Sequence, residues 1–130
     1  MSAPADARPI HASALWAHTG LRVEAGRLYR FRATGTWWDA WIPSGPDGYD
    51  WALLDRSPFT RRVPRARWFE LIGAIDTDPA TQFRIGTRGA KPWRAPRSGE
   101  LTCFANDVSF MRWNNFGTVA LSMEELAEPA

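Results

Sequence analysis

Apolar and polar residues alternate in short runs along this chain, and this period of two is the feature that most restricts its fold. In residues 29–34 the odd positions are apolar and the even positions are polar, as in a half-buried strand. Residues 82–86, 101–106 and 118–123 repeat the alternation, whereas residues 68–75 are almost continuously apolar and predict a strand buried on both faces. Turn-forming clusters separate the runs, and no segment keeps a helical period over three turns. We therefore predict an all-β fold, an antiparallel two-sheet β-sandwich.

The predicted strands fit one domain. A chain of 130 residues has the usual size of a single domain and can bury about two-thirds of its unfolded surface. We predict a flexible N-terminal arm over residues 1–12, one sandwich domain over 13–124 and a C-terminal tail over 125–130. Residues 36–67 contain no clear strand, and so long a connection in a compact domain is usually functional. The predicted core includes Phe31, Leu71, Ile72, Phe83, Ile85, Leu101, Val119 and Leu121.

The sequence contains nothing that predicts a membrane span or a secretory signal. No apolar run approaches the ~18 residues that a spanning helix needs, and the first residues lack the basic and apolar regions of a signal peptide. Cys103 is the only cysteine, so an internal disulfide is excluded and a reducing compartment is indicated. We predict a soluble cytoplasmic protein without membrane insertion, and export without a signal stays open. His11 and His18 are predicted to be surface or packing residues.

Residues 104–117 bring one carboxylate and three carboxamides into a short connection before the last predicted strand. The carboxylate is Asp107, and the carboxamides are Asn106, Asn114 and Asn115. Hard oxygen donors of mixed type suit Ca²⁺, whereas Zn²⁺ prefers His and Cys. Asn and Asp also form turns, because their side chains replace backbone hydrogen bonds. From the spacing alone, a calcium site and a plain turn both stay open.

The same connection carries a specific pattern: Asn106-Asp107-Val108, five residues, Asn114-Asn115, one residue and Gly117. This pattern resembles the calcium loop of the PA-I-like (LecA-type) galactophilic lectins, small bacterial β-sandwiches that bind galactose through a bound calcium. The end of an early strand at residues 33–35 agrees with the resemblance, which spans roughly residues 15–123. It implies a galactose-binding-domain-like jelly roll, a non-enzymatic function, Ca²⁺ as cofactor and a galactose-type glycan as partner.

The resemblance also implies a set of site residues. Side-chain oxygens of Asp107, Asn114 and Asn115 and the backbone carbonyl of Met111 are expected to bind the metal. A further ligand is expected near Asp39, through its backbone or its side chain. Family members bind two neighbouring sugar hydroxyls with the calcium, and this implies sugar contacts from Asp107, Asn114 and the Val108 backbone.

The long connection departs from the family, whose galactose pocket uses a His and a Gln that residues 41–57 lack. This region offers Asp47, Tyr49, Asp50, Trp51, Asp55 and Arg56 instead. Sugars pack their C–H faces on aromatic rings, so Trp41, Trp51 and Asp50 are candidate sugar-binding residues. The alternative is that the tryptophans of this region, Trp37, Trp38, Trp41 and Trp51, pack the connection against the sandwich.

Other functions have weaker support. Fifteen of the sixteen basic residues are Arg. Two basic runs could contact phosphates, the first formed by Arg56, Arg61, Arg62, Arg65 and Arg67 and the second by Arg84, Arg88, Lys91, Arg94 and Arg97. The net charge of +2 and the acidic neighbours favour a solvated face over nucleic-acid binding. No catalytic motif is present. The predicted function is a calcium-dependent carbohydrate-binding module. The alternative is a β-sandwich that calcium rigidifies for a structural or protein-interaction role, and self-association is compatible with either.

Overall fold

The computed structural model describes residues 6–51 and 61–128, which form two antiparallel sheets packed face to face. Within these residues the chain forms nine strands and one 3-10 helix, Ser109–Asn114, and no α-helix. The prediction of an all-β sandwich is therefore confirmed. The strands are β1 (Arg8–His11), β2 (Ala17–Val23), β3 (Leu28–Asp39), β4 (Ile42–Ser44), β5 (Leu71–Ile75), β6 (Asp78–Arg84), β7 (Trp93–Arg94), β8 (Gly99–Ala105) and β9 (Asn115–Leu126).

The paired strands β3 and β9, here called the β3–β9 ribbon, form the centre of the first sheet. The strand order of this sheet is β1-β9-β3-β4, and β7 also pairs with β3. Each of the two strands has 12 residues, and they pair continuously from Leu28↔Leu126 to Asp39↔Asn115. The second sheet has the order β2-β8-β5-β6. The continuous register places Asp39 and Asn115 side by side at one end of the ribbon.

The main core lies between the sheets and follows from the alternation in the sequence. Phe31 of β3 and Val119 and Leu121 of β9 are buried, and polar residues of both strands face outward. Of the predicted core residues only Phe83 is half-buried, and it packs against the cluster. Buried members of this cluster include Ile10, Val23, Tyr29, Phe31, Trp37, Phe69, Leu71, Ile75, Ile85, Leu101, Cys103, Val119 and Leu121.

Strand β5 is buried on both faces, as its continuous apolar run predicts. Leu71 and Ile75 belong to the core between the sheets. Ile72 belongs to a second cluster with Val63 and Phe104 on the other side of the sheet. Residues 61–70 therefore cover part of the outer face of the second sheet, which explains why β5 carries no exposed polar positions.

The ordered strands extend beyond the alternating runs of the sequence. Residues 8–11, expected within the flexible arm, form β1 and pair with residues 118–121. A four-residue strand with one buried side chain, Ile10, leaves no periodicity that sequence analysis can detect. Strand β9 continues through Glu124 and Glu125, which form ion pairs with Arg30 and Arg27 of the neighbouring strand region. The long connection contains the end of β3 and all of β4.

Most arginines of the two basic runs have partners within the described ranges. Arg84 pairs with the fully buried Glu70, and Arg94 and Arg97 pair with Glu128 and Asp78. Arg56 lies outside the described residues.

Burial raises the pKa of the Cys103 thiol, which faces the core. In the part of the chain that the structure describes, no helix is long and apolar enough to cross a membrane.

Candidate functional site

The predicted site residues meet at the end of the β3–β9 ribbon. Asp39 is the last residue of β3 and lies opposite Asn115, the first residue of β9. Beyond this pair, the Ala40 N–H donates to the Asn114 carbonyl at 2.9 Å, so the two segments stay hydrogen-bonded past the ends of the strands. Ala40 has a φ of 54°, a left-handed conformation that is uncommon outside glycine and is found at functional sites. The ribbon therefore brings two distant parts of the chain to one place.

Three side-chain oxygens at this end are buried without a hydrogen-bond partner: Asp107 Oδ2, Asn114 Oδ1 and Asn115 Oδ1. Asp107 is only 6% exposed, and its other oxygen accepts a 2.7 Å hydrogen bond from the Val108 N–H. The Asn115 amide donates to the Ala12 carbonyl at 3.3 Å, which directs its oxygen away from that contact. An unpartnered buried acceptor costs about 1–3 kcal/mol, so three together need an electropositive partner.

The negative charges of Asp107 and Asp39 add to the need for an electropositive partner. Burial, and then the nearby negative charge of Asp39, raises the pKa of Asp107 to about 6, against smaller opposing effects of the Val108 N–H and the Asn115 side chain. Burial also raises the pKa of Asp39. Two partly buried carboxylates with neutral carboxamide oxygens beside them form a donor set that suits a hard cation such as Ca²⁺. Among residues 6–51 and 61–128, no three His, Cys, Asp or Glu side chains cluster as metal ligands.

Tyr49 also belongs to the site, although no pattern in the sequence gives it a role there. Its hydroxyl donates to Asp39 Oδ2 at 2.6 Å, and its pKa is raised by burial first and then by Asp39 and Asp107. Gly48 makes this placement feasible, because its φ is +78° and a Cβ there would lie 2.5 Å from the Trp68 carbonyl oxygen. Tyr49 thus joins the long connection to a predicted metal ligand.

Asn106, the first residue of the pattern, has a structural role instead of a ligand role. It is fully buried, and its Oδ1 accepts from the Val63 N–H at 2.8 Å. Its Nδ2 donates to the carbonyls of Val63 and Arg67, both at 2.9 Å. The Asp107 carbonyl accepts from the Arg62 N–H at 3.1 Å. These bonds fix the loop that carries Asp107 to the segment before β5.

The last residue of the pattern, Gly117, has a backbone conformation that favours glycine. Its φ is +88°, and a Cβ there would lie 3.2 Å from the Cα of Trp37 on the paired strand. A side chain is disfavoured by both conditions.

The remaining predicted residues are not among the unpartnered side-chain oxygens. Val108 is buried in an extended conformation before the 3-10 helix, and Met111 lies within that helix. Trp41 is 79% exposed, whereas Trp51 is half-buried with its ring centroid 6.5 Å from that of Tyr49. The Asp50 carboxylate is exposed and accepts from Arg67 Nε at 3.2 Å. Asp55, in residues 52–60, lies outside the described part.

Together, the fold and the site define a two-sheet β-sandwich with a cluster of hard oxygen donors before its last strand. A solved structure shares the sandwich fold: the N-terminal domain of EclA, described as a PllA-like lectin. The match has a TM-score of 0.67 and 17% sequence identity, and it covers 92% of this chain and 95% of that one. It confirms the resemblance to the PA-I-like lectins at the level of the fold. No protein-family model and no curated protein matches the sequence.

Proposed function

We propose that this protein is a non-enzymatic, calcium-dependent carbohydrate-binding module, with galactosides as its first expected ligands. The observation that carries the proposal is the group of three unpartnered buried oxygens of Asp107, Asn114 and Asn115 beside the Asp39 carboxylate. They occupy the connection whose sequence pattern resembles a lectin calcium loop, in a fold shared with a PllA-like lectin. The unpartnered oxygens and the sequence pattern point to the same connection, and the shared fold supports the proposal.

Calcium would be held by the side chains of Asp39, Asp107, Asn114 and Asn115, and by the backbone carbonyl of Met111. These are five oxygens, and Ca²⁺ commonly takes six to eight. The metal would supply the remaining positions for hydroxyl oxygens of a ligand. With two carboxylates at most and otherwise neutral donors, we expect an affinity in the micromolar-to-millimolar range.

A sugar held by two hydroxyls there would lie close to Asp107 and Asn114, whose side chains can accept or donate hydrogen bonds to those hydroxyls. The Val108 N–H donates to Asp107 Oδ1 at 2.7 Å, so a sugar that bound this N–H would require Asp107 to release it. Tyr49, beside Asp39, provides a polar hydroxyl on the wall of the site. The His and Gln of galactose-binding relatives are absent from this connection, and Tyr49, Asp50 and Trp51 are the expected replacements.

Calcium titration followed by sugar titration tests the proposal. Calorimetry of the wild type should show calcium binding, and a glycan array should give signals for galactosides only when calcium is present. Asp107→Ala should lose both signals while keeping the β-sheet circular-dichroism spectrum. Glucose differs from galactose at one of the hydroxyls expected on the metal and should bind more weakly. Equal binding of both sugars, or binding that survives a chelator, would contradict the proposal.

A purely structural role for calcium is the second candidate, and the connectivity of the cluster favours it. Asn115 bonds to Ala12 before β2, and Asp39 bonds to Tyr49 after β4. A cation at this point would therefore link several segments without any sugar. Calcium binding with a rise in melting temperature, but no glycan signal of any kind, would favour this role over the lectin role.

A further inference from the structure

The end of the sandwich that carries the site is also rich in exposed aromatic side chains. In the described ranges, four large apolar residues are exposed, and three of them lie here: Trp41 at 79%, Trp113 at 76% and Phe116 at 53%. Tryptophan is rarely so exposed, because its large apolar ring gains from burial. Several exposed aromatic residues at one end of a domain more often indicate a binding surface than a random effect of composition.

The backbone places Trp41 and Trp113 next to the candidate calcium site. Trp41 follows Ala40, whose N–H donates to the Asn114 carbonyl, and Trp113 directly precedes Asn114. Trp41 is also two residues beyond Asp39. Both indoles are therefore attached to the same hydrogen-bonded backbone that presents the metal donors, and both face solvent.

Phe116 has a different environment. It lies opposite Trp38 on the outer face of the first sheet, and the two rings are parallel with centroids 6.1 Å apart. Asn115 and Asp39, the residues beside them, turn toward the buried donor cluster, so Phe116 and Trp38 extend from the opposite face of the strands. This pair belongs to the sheet surface and not to the rim of the site.

We propose that Trp41 and Trp113 form a second carbohydrate subsite, which binds the sugar residue linked to the one at the calcium. The inference rests on the proposed function, since it needs a first sugar at the metal. Pyranose rings have C–H faces that pack on aromatic rings. The two exposed, uncharged indoles provide aromatic faces of this kind next to the metal donors. The partner is thus a disaccharide or longer glycan, in preference to a free monosaccharide.

Calorimetric titrations of galactose, lactose and melibiose with saturating calcium test the subsite. The two disaccharides are β- and α-linked probes of the same terminal galactose. At least one should bind the wild type roughly 3- to 10-fold more tightly than galactose, the gain expected for one ring contact. Trp113→Ala should reduce that disaccharide to the affinity of galactose, while its calcium and galactose affinities stay unchanged. Phe116→Ala, the matched control, should keep the preference.

The other outcomes separate the subsite from the function on which it rests. Galactose binding without any disaccharide preference in the wild type, or a preference that survives Trp113→Ala, overturns the subsite alone. Absence of calcium-dependent galactose binding in the wild type overturns the proposed function, and the subsite with it. Light scattering decides whether the rim binds a second copy of the chain. We expect the same mass for the wild type and Trp113→Ala, and a dimer that this substitution dissociates would overturn the proposal.

Discussion

Burial opposes ionisation of the Asp107 carboxyl, and this opposition appears in its pKa. Its pKa rises from an ordinary value of 3.8 to about 6 in the folded chain. Because the folded pKa lies above the unfolded one, the stabilisation from this group is complete below about pH 4 and is lost as the pH rises through about 6. The shift of about two pH units corresponds to roughly 3 kcal/mol of stability that is absent at pH 7.

Asp107→Asn should recover most of that stability while removing calcium binding. Asparagine keeps the shape and an oxygen that accepts from the Val108 N–H, but it carries no charge and supplies a donor among unpartnered oxygens. In chelator at pH 7 we expect the free energy of unfolding to increase by about 2–3 kcal/mol, or the melting temperature by roughly 5–10 °C. The gain should shrink toward zero near pH 4. Urea denaturation across this pH range, with and without calcium, measures both effects.

Asp47→Asn is the matched control, because Asp47 is an exposed carboxylate of the neighbouring connection. It should change stability by a few tenths of a kcal/mol at any pH, as surface substitutions usually do. The reasoning is refuted if Asp107→Asn is no more stable than the wild type in chelator at pH 7. It is also refuted if calcium stabilises this variant as much as it stabilises the wild type.

Three further predictions follow from the contacts of the site. Tyr49→Phe removes the 2.6 Å hydrogen bond to Asp39 and should weaken calcium binding several-fold in calorimetry, with no change in circular dichroism. Asn106→Ala leaves buried groups of Val63 and Arg67 without partners and should lower the free energy of unfolding by about 2–4 kcal/mol, as measured in urea. Galactose should tighten calcium binding by the same factor by which calcium tightens galactose binding, and unequal factors would exclude a shared site.

The parts of the fold that the sequence predicts are those in which each strand carries its own signal. Phe31 and Leu121 sit in alternating runs, and both are buried as predicted. The continuous run near Ile72 predicts burial on two faces, which the structure confirms. Strand β1 has no such signal, because four residues with one buried side chain resemble a loop. Its order comes from pairing with β9, and pairing between distant segments is not encoded in either segment alone.

The site residues divide in the same way, into those that a local sequence pattern predicts and those that it does not. The spacing from Asp107 to Asn115 predicts a donor loop because its residues are close in sequence. The roles of Tyr49 and Asn106 depend on partners 10 and 43 residues away, and no local pattern specifies them. A hydroxyl near a carboxylate and an amide that joins two loops are products of the folded arrangement. The sequence could offer Tyr49 only as one polar residue among several in the long connection.

The placement of Asp39 beside the loop follows from the register of the β3–β9 ribbon. That register is determined by burial, since Trp37 and Val119 must face the core while Trp38 and Phe116 face outward. A shift of one residue would reverse the faces of every side chain in one strand, expose its core residues and turn Asp39 away from the donors. The hydrophobic burial that packs the two sheets thus also places the Asp39 carboxylate beside the carboxamides of Asn114 and Asn115. The side-chain oxygens of Asp107, Asn114 and Asn115 can stay unpartnered because the hydrophobic core and the hydrogen bonds of the neighbouring backbone hold the residues that carry them.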